Sequence, residues 1–293
     1  MRAITTIPEA QLAPLLDAYA ASVAARRRQT WIGLAILALA TGIAAYGAEV
    51  NLPMFWNKLG NFTSYFGRLA HLDDGGLVWT APRDWFWGLR RWSIQLAETI
   101  LIAYVGTLTG AVLAFLGSFS AAANLVETAW LRLAVRRFFE FLRTVPDLVF
   151  AMIFVVAFGL GALPGALAIA LHTTGTLGKL FTEVAESIAM GPVEGITATG
   201  GSWFARVRYG AMPQVLSNFA SYTLLRFEIN VRGATIIGFV GAGGIGQELL
   251  VAIRKFYYSD VSAILVMIIV TVMLLDMVSA RLRHALLTSD GSR

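Results

Sequence analysis

The sequence predicts an all-α integral membrane protein with six transmembrane helices, and three observations lead there. The chain of 293 residues is 57% hydrophobic and only 14% charged. A soluble domain carries about 25% charged residues, so lipid is the expected solvent. Long uncharged runs recur, and helices of that length satisfy their own backbone groups inside a bilayer. Arginines gather beside these runs. That placement fits anionic lipid and the positive-inside rule better than nucleic acid, even with a sequence pI near 9.7. The absence of cysteine excludes a disulfide framework and any thiolate metal site.

The elements follow in order. Residues 1–30 read as a cytoplasmic amphipathic helix: Thr6 and Glu9 form a capping box, Pro8 suits the first turn, and Leu12, Leu15, Leu16, Tyr19 and Val23 share one face. Arg26 to Arg28 precede Trp31–Ala48, whose eighteen uncharged residues give roughly 27 Å of helix. A signal peptide is the alternative for this run, but the polar leader is long for one, so a retained first span is favoured, starting in the cytoplasm.

Residues 49–96 read as an external, periplasmic segment broken by Asn51, Pro53 and Pro82, with Trp79, Trp85, Trp87 and Trp92 suited to the membrane interface. His71, Asp73 and Asp74 in one loop read as solvated turn residues rather than a metal site. Arg90 and Arg91 fall outside in this scheme, against the charge rule. Leu101–Phe119 is the second span, and Arg132, Arg136, Arg137 and Arg143 form a cytoplasmic cluster.

Leu148–Gly178 runs thirty-one residues without a formal charge, about 46 Å as one helix and too long for a ~30 Å core. Gly159 to Gly165 break it, so spans near 145–161 and 163–184 form a hairpin. The hairpin returns the chain to the cytoplasm before Glu194 and keeps Arg281 and Arg283 inside. Spans near 214–232 and 261–280 complete six, with both termini cytoplasmic and a tail at 285–293.

Between the fourth and fifth spans, Gly191 to Pro213 is too polar to cross. Pro192 suits a first turn, and Val193, Ile196, Gly200, Trp203, Phe204 and Val207 repeat at helical spacing. A helix over about 191–206 with one apolar face is expected. Gly200 and Gly201 inside it are explained by close approach of another backbone, and Pro213 starts the next span.

This stretch resembles the membrane subunits of binding-protein-dependent ABC importers, which carry E-A-A-x-x-x-G-x(9)-I-x-L-P. Glu194, Gly200 and Pro213 fall on the glutamate, glycine and proline; Gly195 and Ile196 replace the alanines, Gly210 the isoleucine and Met212 the leucine. Over residues 97–284, stretches such as HTTGTLGKLF, GPVEGITATG and LLRFEINVRGATIIGFVGAGGIGQEL look like the phosphonate importer permease family. The resemblance implies a type I ABC importer permease (MetI-like) core in the bacterial inner membrane. It implies that the 191–206 helix is the coupling helix, docking through Glu194, Gly195, Gly200, Gly201 and Pro213 on a separate ATP-binding subunit. It also implies two such ATPase copies, a second permease copy as a homodimer, and a periplasmic phosphonate-binding protein. The chain would bind no cofactor itself; ATP and Mg belong to the partner ATPase. No G-x-x-x-x-G-K-[ST] occurs, since Gly175 to Lys179 is one residue short and lacks the following hydroxyl. An ATP-hydrolysing role is therefore not expected of this chain. No paired nucleophile and base or metal cluster suggests another enzyme, and no deep titratable groups across several spans suggest an ion-driven transporter or channel.

Two polar features remain. Gly241, Gly243 and Gly246 spell G-x-G-x-x-G with Gly244 between, but the run lies between membrane spans, without the strand and helix of a dinucleotide site. These glycines are expected to bend the chain back or pack helices on the external side, with a gating role as a hypothesis. Arg226, Glu228, Asn230 and Arg232 lie near membrane depth, where charge is costly. Arg226 with Asn230, and Glu228 with Arg232, are four apart and can pair on the helix surface. The group then forms either an internal ion pair or a polar lining along which a phosphonate dianion passes, joined by His172 with Thr173 and Thr174.

Overall fold

The arrangement of the helices follows from where proline and glycine interrupt apolar runs. The computed structural model describes residues 9–72 and 74–290, so Thr6, Pro8 and Asp73 of the readings above lie outside the described residues, as do the side chains of Glu9, Leu12 and Leu15. Two compact units result, Met1–Tyr65 and Phe66–Arg293.

In the first unit, helix α1 (Glu9–Gly47) is continuous. The expected soluble helix and first span are one rod, because nothing between Arg26 and Trp31 breaks a helix. Helix α2 (Leu52–Leu69) replaces the irregular start expected of the external segment. Asn51 and Pro53, read as breakers, start a helix: the Asn51 Oδ1 accepts from the Met54 N–H at 2.8 Å, and a proline in the first turn gives up only a donor with no partner there.

In the second unit, a short α3 (Pro82–Trp85) leads into α4 (Leu89–Ala121). Then follow α5 (Ala129–Thr144), α6 (Asp147–Phe158), α7 (Ala162–Glu186), α8 (Gly191–Ala198), the single turn α9 (Trp203–Ala205), α10 (Met212–Ile237), α11 (Ile245–Arg254) and α12 (Tyr258–Asp290). The expected hairpin is present as α6 and α7. Its first arm has only 12 residues, about 18 Å, and α5 meets it at an 84° bend. Pro146 at that bend cannot continue the α5 hydrogen-bond ladder.

By length and apolarity, Leu16–Gly47, Leu89–Ala121 and Tyr258–Ala285 can cross a membrane, and the bent pairs α5–α6 and α9–α10–α11 raise the number to five among the described residues. Helix α7, the remaining expected span, is 25 residues long. It is diluted by His172, Thr173, Thr174 and Lys179, yet has the richest buried face, packing on α4, α5, α6 and α10. A helix enclosed by protein does not need a lipid-facing apolar surface.

Glycines set that enclosure. A Cβ on Gly110 would lie 2.8 Å from the Ala170 carbonyl on α7, and one on Gly175 would lie 2.5 Å from the Arg143 backbone nitrogen on α5. Small residues let the backbones approach where lipid offers no hydrophobic drive between helices. At the start of α4, Trp92 is buried rather than interfacial. Trp85 and Trp87 donate from Nε1 to Ser262 Oγ (2.9 Å) and Asp260 Oδ1 (2.8 Å), fastening the segment before α4 onto α12. Asp74 accepts from the Gly76 N–H at 2.9 Å as a turn residue.

Candidate coupling surface and polar cluster

Helix α8 begins where Pro192 pre-sets the first turn and ends after Ala198. The expected continuation to residue 206 does not form. Gly200 has φ +76° with open space around its Cα, so it is a left-handed helix terminator and not a point of close approach. Its N–H and that of Gly201 donate back to Thr197 and Ile196 carbonyls at 2.9 Å. Gly201 is the crowded one, because a Cβ there would meet the Ile196 side chain at 2.5 Å.

The chain then winds again from Trp203 through a π-helical turn, Arg206–Ala211, into α10. Pro213 therefore sits inside a continuous helical path instead of opening it. The wider turn relieves the contact between a proline ring and the carbonyl four residues earlier.

Val193 is buried at 3% exposure in one core cluster with Val207, Ala211 and Val215. Gly210 permits this: a Cβ there would meet the Val193 Cα at 3.1 Å. Glu194, Gly195, Thr197 and Ala198 are left exposed, with Gly195 and Ala198 turned furthest from Val193. Sequence reasoning missed the side chains that hold the segment. Gln214 binds the backbone of Ala189, just before α8, and Trp203 Nε1 donates to the Leu125 carbonyl at 3.0 Å, reaching the loop after α4. Arg136 donates to the Ala121 carbonyl at 2.9 Å and pairs with Glu186, whose Oε1 also accepts from the Ala123 N–H at 2.7 Å.

The charged run on α10 is resolved between helices, not along one. The expected pairs Arg226–Asn230 and Glu228–Arg232 do not form. Glu228, 5% exposed, pairs with Arg283 on α12 at 3.0 Å, and Arg232 pairs with Asp276 on α12 at 3.2 Å. Asn230, buried, donates to Thr107 Oγ1 on α4 (2.7 Å) and Thr173 Oγ1 on α7 (2.9 Å). The i,i+4 rule sees only one helix, and these partners lie 44 to 123 residues away. Arg226 is half-buried and its Nε has no partner. Asp147 and His172 lie within its electrostatic range. His172 Nδ1 faces the Val145 carbonyl at 3.1 Å, which the bend at Pro146 leaves outside regular helix.

The glycine run bends the path by 48° between α10 and α11, short of the turn back expected of it. Gly241, Gly243 and Gly244 have φ of +88°, +85° and +76°, a region that costs glycine little. A Cβ on Gly243 would meet the Ala162 backbone at 3.1 Å, and the Ile245 N–H donates to Thr99 Oγ1 at 2.8 Å. Gly246 lies against the Thr235 carbonyl and within 3.0 Å of the Gly238 Cα for an added Cβ. The turn is thus seated on α4 and the start of α7.

A helical bundle with its polar groups tied between spans and a short helix offered at one end is the build of a transporter's membrane subunit. Residues 106–287 match the family described as binding-protein-dependent transport system inner membrane component. The chain belongs to that family. It is 39% identical over 202 residues to the phosphite transport system permease protein PtxC of Stutzerimonas stutzeri, covering 69% of this chain and 73% of that one. It is 37% identical to the phosphate-import permease protein PhnE of Mycolicibacterium smegmatis, covering 67% of this chain and 36% of that longer one. With the putative cryptic phosphonate transport system permease protein PhnE2 of Escherichia coli K12 it shares 55% identity, over 40% of this chain and 96% of that one. An inward-facing structure of the MetNI methionine ABC transporter is similar in fold, with TM-score 0.58 at 19% identity, covering 70% of this chain and 98% of that one.

Proposed function

We propose that this chain is the translocating subunit of an ATP-driven importer of phosphonates in the bacterial inner membrane. In this reading a periplasmic binding protein delivers the substrate, and two copies of the chain enclose the path. Two separate subunits hold ATP and its magnesium and dock on α8 from the cytoplasm; both termini lie on that side. The chain does no chemistry on its cargo. The observation that carries the reading is α8 itself, anchored through Val193 while Glu194, Gly195, Thr197 and Ala198 face outward.

For the substrate path, the ties of Glu228, Asn230 and Arg232 leave Arg226 as the cation of that run with an unpartnered nitrogen, His172 beside it. A phosphonate oxygen would satisfy the Arg226 donor, and neighbouring Asp147 would keep the site weak enough to release its anion. The glycine turn at 241–246 is the external gate in this scheme.

A second reading, import of phosphite or a phosphate ester, is favoured by the names of the relatives at 39% and 37% identity. Uptake into proteoliposomes bearing the complete complex separates the two. Transport of a labelled alkylphosphonate that excess phosphite fails to displace is expected. Uptake of phosphite in preference to any phosphonate would favour the second reading.

A further inference from the structure

Resting on that reading, the geometry around residue 214 points to a mechanical tie between the docking helix and the helix that bears the polar cluster. Gln214 is half-buried in the first turn of α10. Its Oε1 accepts from the Ala189 N–H at 3.0 Å, and its Nε2 donates to the Ala189 carbonyl at 3.1 Å. The same Nε2 donates to the Gly210 carbonyl at 2.7 Å. One side chain thus mimics a strand neighbour for the residue two positions before α8, and also binds the π-helical turn that opens α10.

The second tie is steric. Gly210 lies so close to the Val193 backbone that a Cβ would sit 3.1 Å from its Cα and 3.2 Å from its nitrogen. Contact this tight resists sliding, because packed surfaces are bistable rather than continuously deformable. The hydrogen bonds fix the lead-in to α8, and the steric contact fixes α8 itself. The first ends on α10 at Gln214 and the second on the π-helical turn that opens it at Gly210, fourteen and eighteen residues before Glu228. We propose that Gln214 is the positioning residue that makes α8 and α10 move as one body, so that displacement of the docking helix by a partner reaches the polar cluster undiminished.

A π-helical turn would otherwise be a natural place for that motion to be lost, since such turns mark hinges within helices. Bonds from Gln214 to Gly210, at the end of that turn, and to Ala189, before α8, brace the exit of the turn against the docking helix. Sequence spacing could not reveal this, because Ala189 and Gln214 are 25 residues apart.

The test uses the full complex and the absence of native cysteine in this chain. Spin labels at Pro192→Cys in the first turn of α8, away from the docking residues, and at Leu216→Cys on α10, both exposed positions, report the distance between the two helices with and without ATP on a hydrolysis-blocked partner. With Gln214 present the distance is expected to stay fixed on ATP binding. In Gln214→Met, which keeps the volume and removes all three hydrogen bonds, it is expected to shift or broaden by about 1–2 Å, the scale of helix displacement in such transitions. Transport per ATP hydrolysed is then expected to fall about tenfold, within the usual span of coupling between sites, while assembly and basal ATPase remain. Gln214→Glu keeps the acceptor but loses both donors, and should fall between.

An unchanged distance in Gln214→Met overturns the proposal, and so does a parallel loss of transport and ATPase with the distance fixed. The distance measurement needs no substrate. A wild-type complex that imports no phosphonate, yet loosens in Gln214→Met, would sink the substrate reading and leave the tie standing.

Discussion

Replacing Asn230 by leucine separates a structural role from a substrate-contacting one. Its Nδ2 is the only group joining α4, α7 and α10 at one point among the described residues, through Thr107 Oγ1 and Thr173 Oγ1. Thr107 also donates to its own Ala103 carbonyl at 2.6 Å, so removing the amide strips an acceptor contact without orphaning that hydroxyl. Interhelical hydrogen bonds within membranes average about 0.6 kcal/mol and reach about 1.7. Two of them place the expected loss at about 1–3 kcal/mol. Leucine keeps the branching of the amide but is bulkier, so overpacking of about 1–3 kcal/mol adds to the loss. Equilibrium unfolding in mixed micelles reads this loss directly, and substrate KM in proteoliposomes should stay within about twofold. A variant of undiminished stability whose KM rises tenfold would refute the knot and return Asn230 to the transport path.

The remaining outcomes can be stated together. Glu228→Gln should destabilise, though by less than the about 3–5 kcal/mol of a fully buried pair, since Arg283 is 26% exposed; the exchange Glu228→Arg with Arg283→Glu should recover much of it in the same unfolding assay. Arg226→Gln should raise substrate KM about tenfold or more, the weight of a hydrogen bond to a charged group, with basal ATPase unchanged, and an unaltered KM would remove Arg226 from the path. Gly246→Ala should cost at least about 1–3 kcal/mol by overpacking, because its Cβ would run into the Thr235 carbonyl; full thermal stability would mean that α11 is free to shift.

Much of the helical order was legible because proline and glycine punctuate apolar runs. Pro192 announced the start of α8, and Gly159 to Gly165 announced the turn between α6 and α7. Punctuation was misread where one residue type serves two ends of an element. Asn51 and Pro53 cap a helix although they resemble breakers, and Gly200 ends a helix although periodicity runs past it. Pro146 marks the break after α5, but the 84° angle taken there goes with α5 packing against α7 and is not written in residues 129–146. The polar cluster was found, but its pairing was not. A carboxylate at Glu228 can be seen to need a cation, whereas the choice of Arg283 over Arg232 is made by tertiary contact.

The central claim is that the outward face of α8 is gripped by a separate ATPase, and Gly195 tests it most directly. This position is helical, exposed and without a neighbour within 4 Å of an added Cβ, so Gly195→Trp should fold unchanged while filling the docking face. Co-purification with the ATP-binding subunit, scored beside thermal stability of the isolated chain, is expected to collapse in the variant at wild-type stability. Full recovery of the complex with its coupled ATPase intact would contradict the docking of that face.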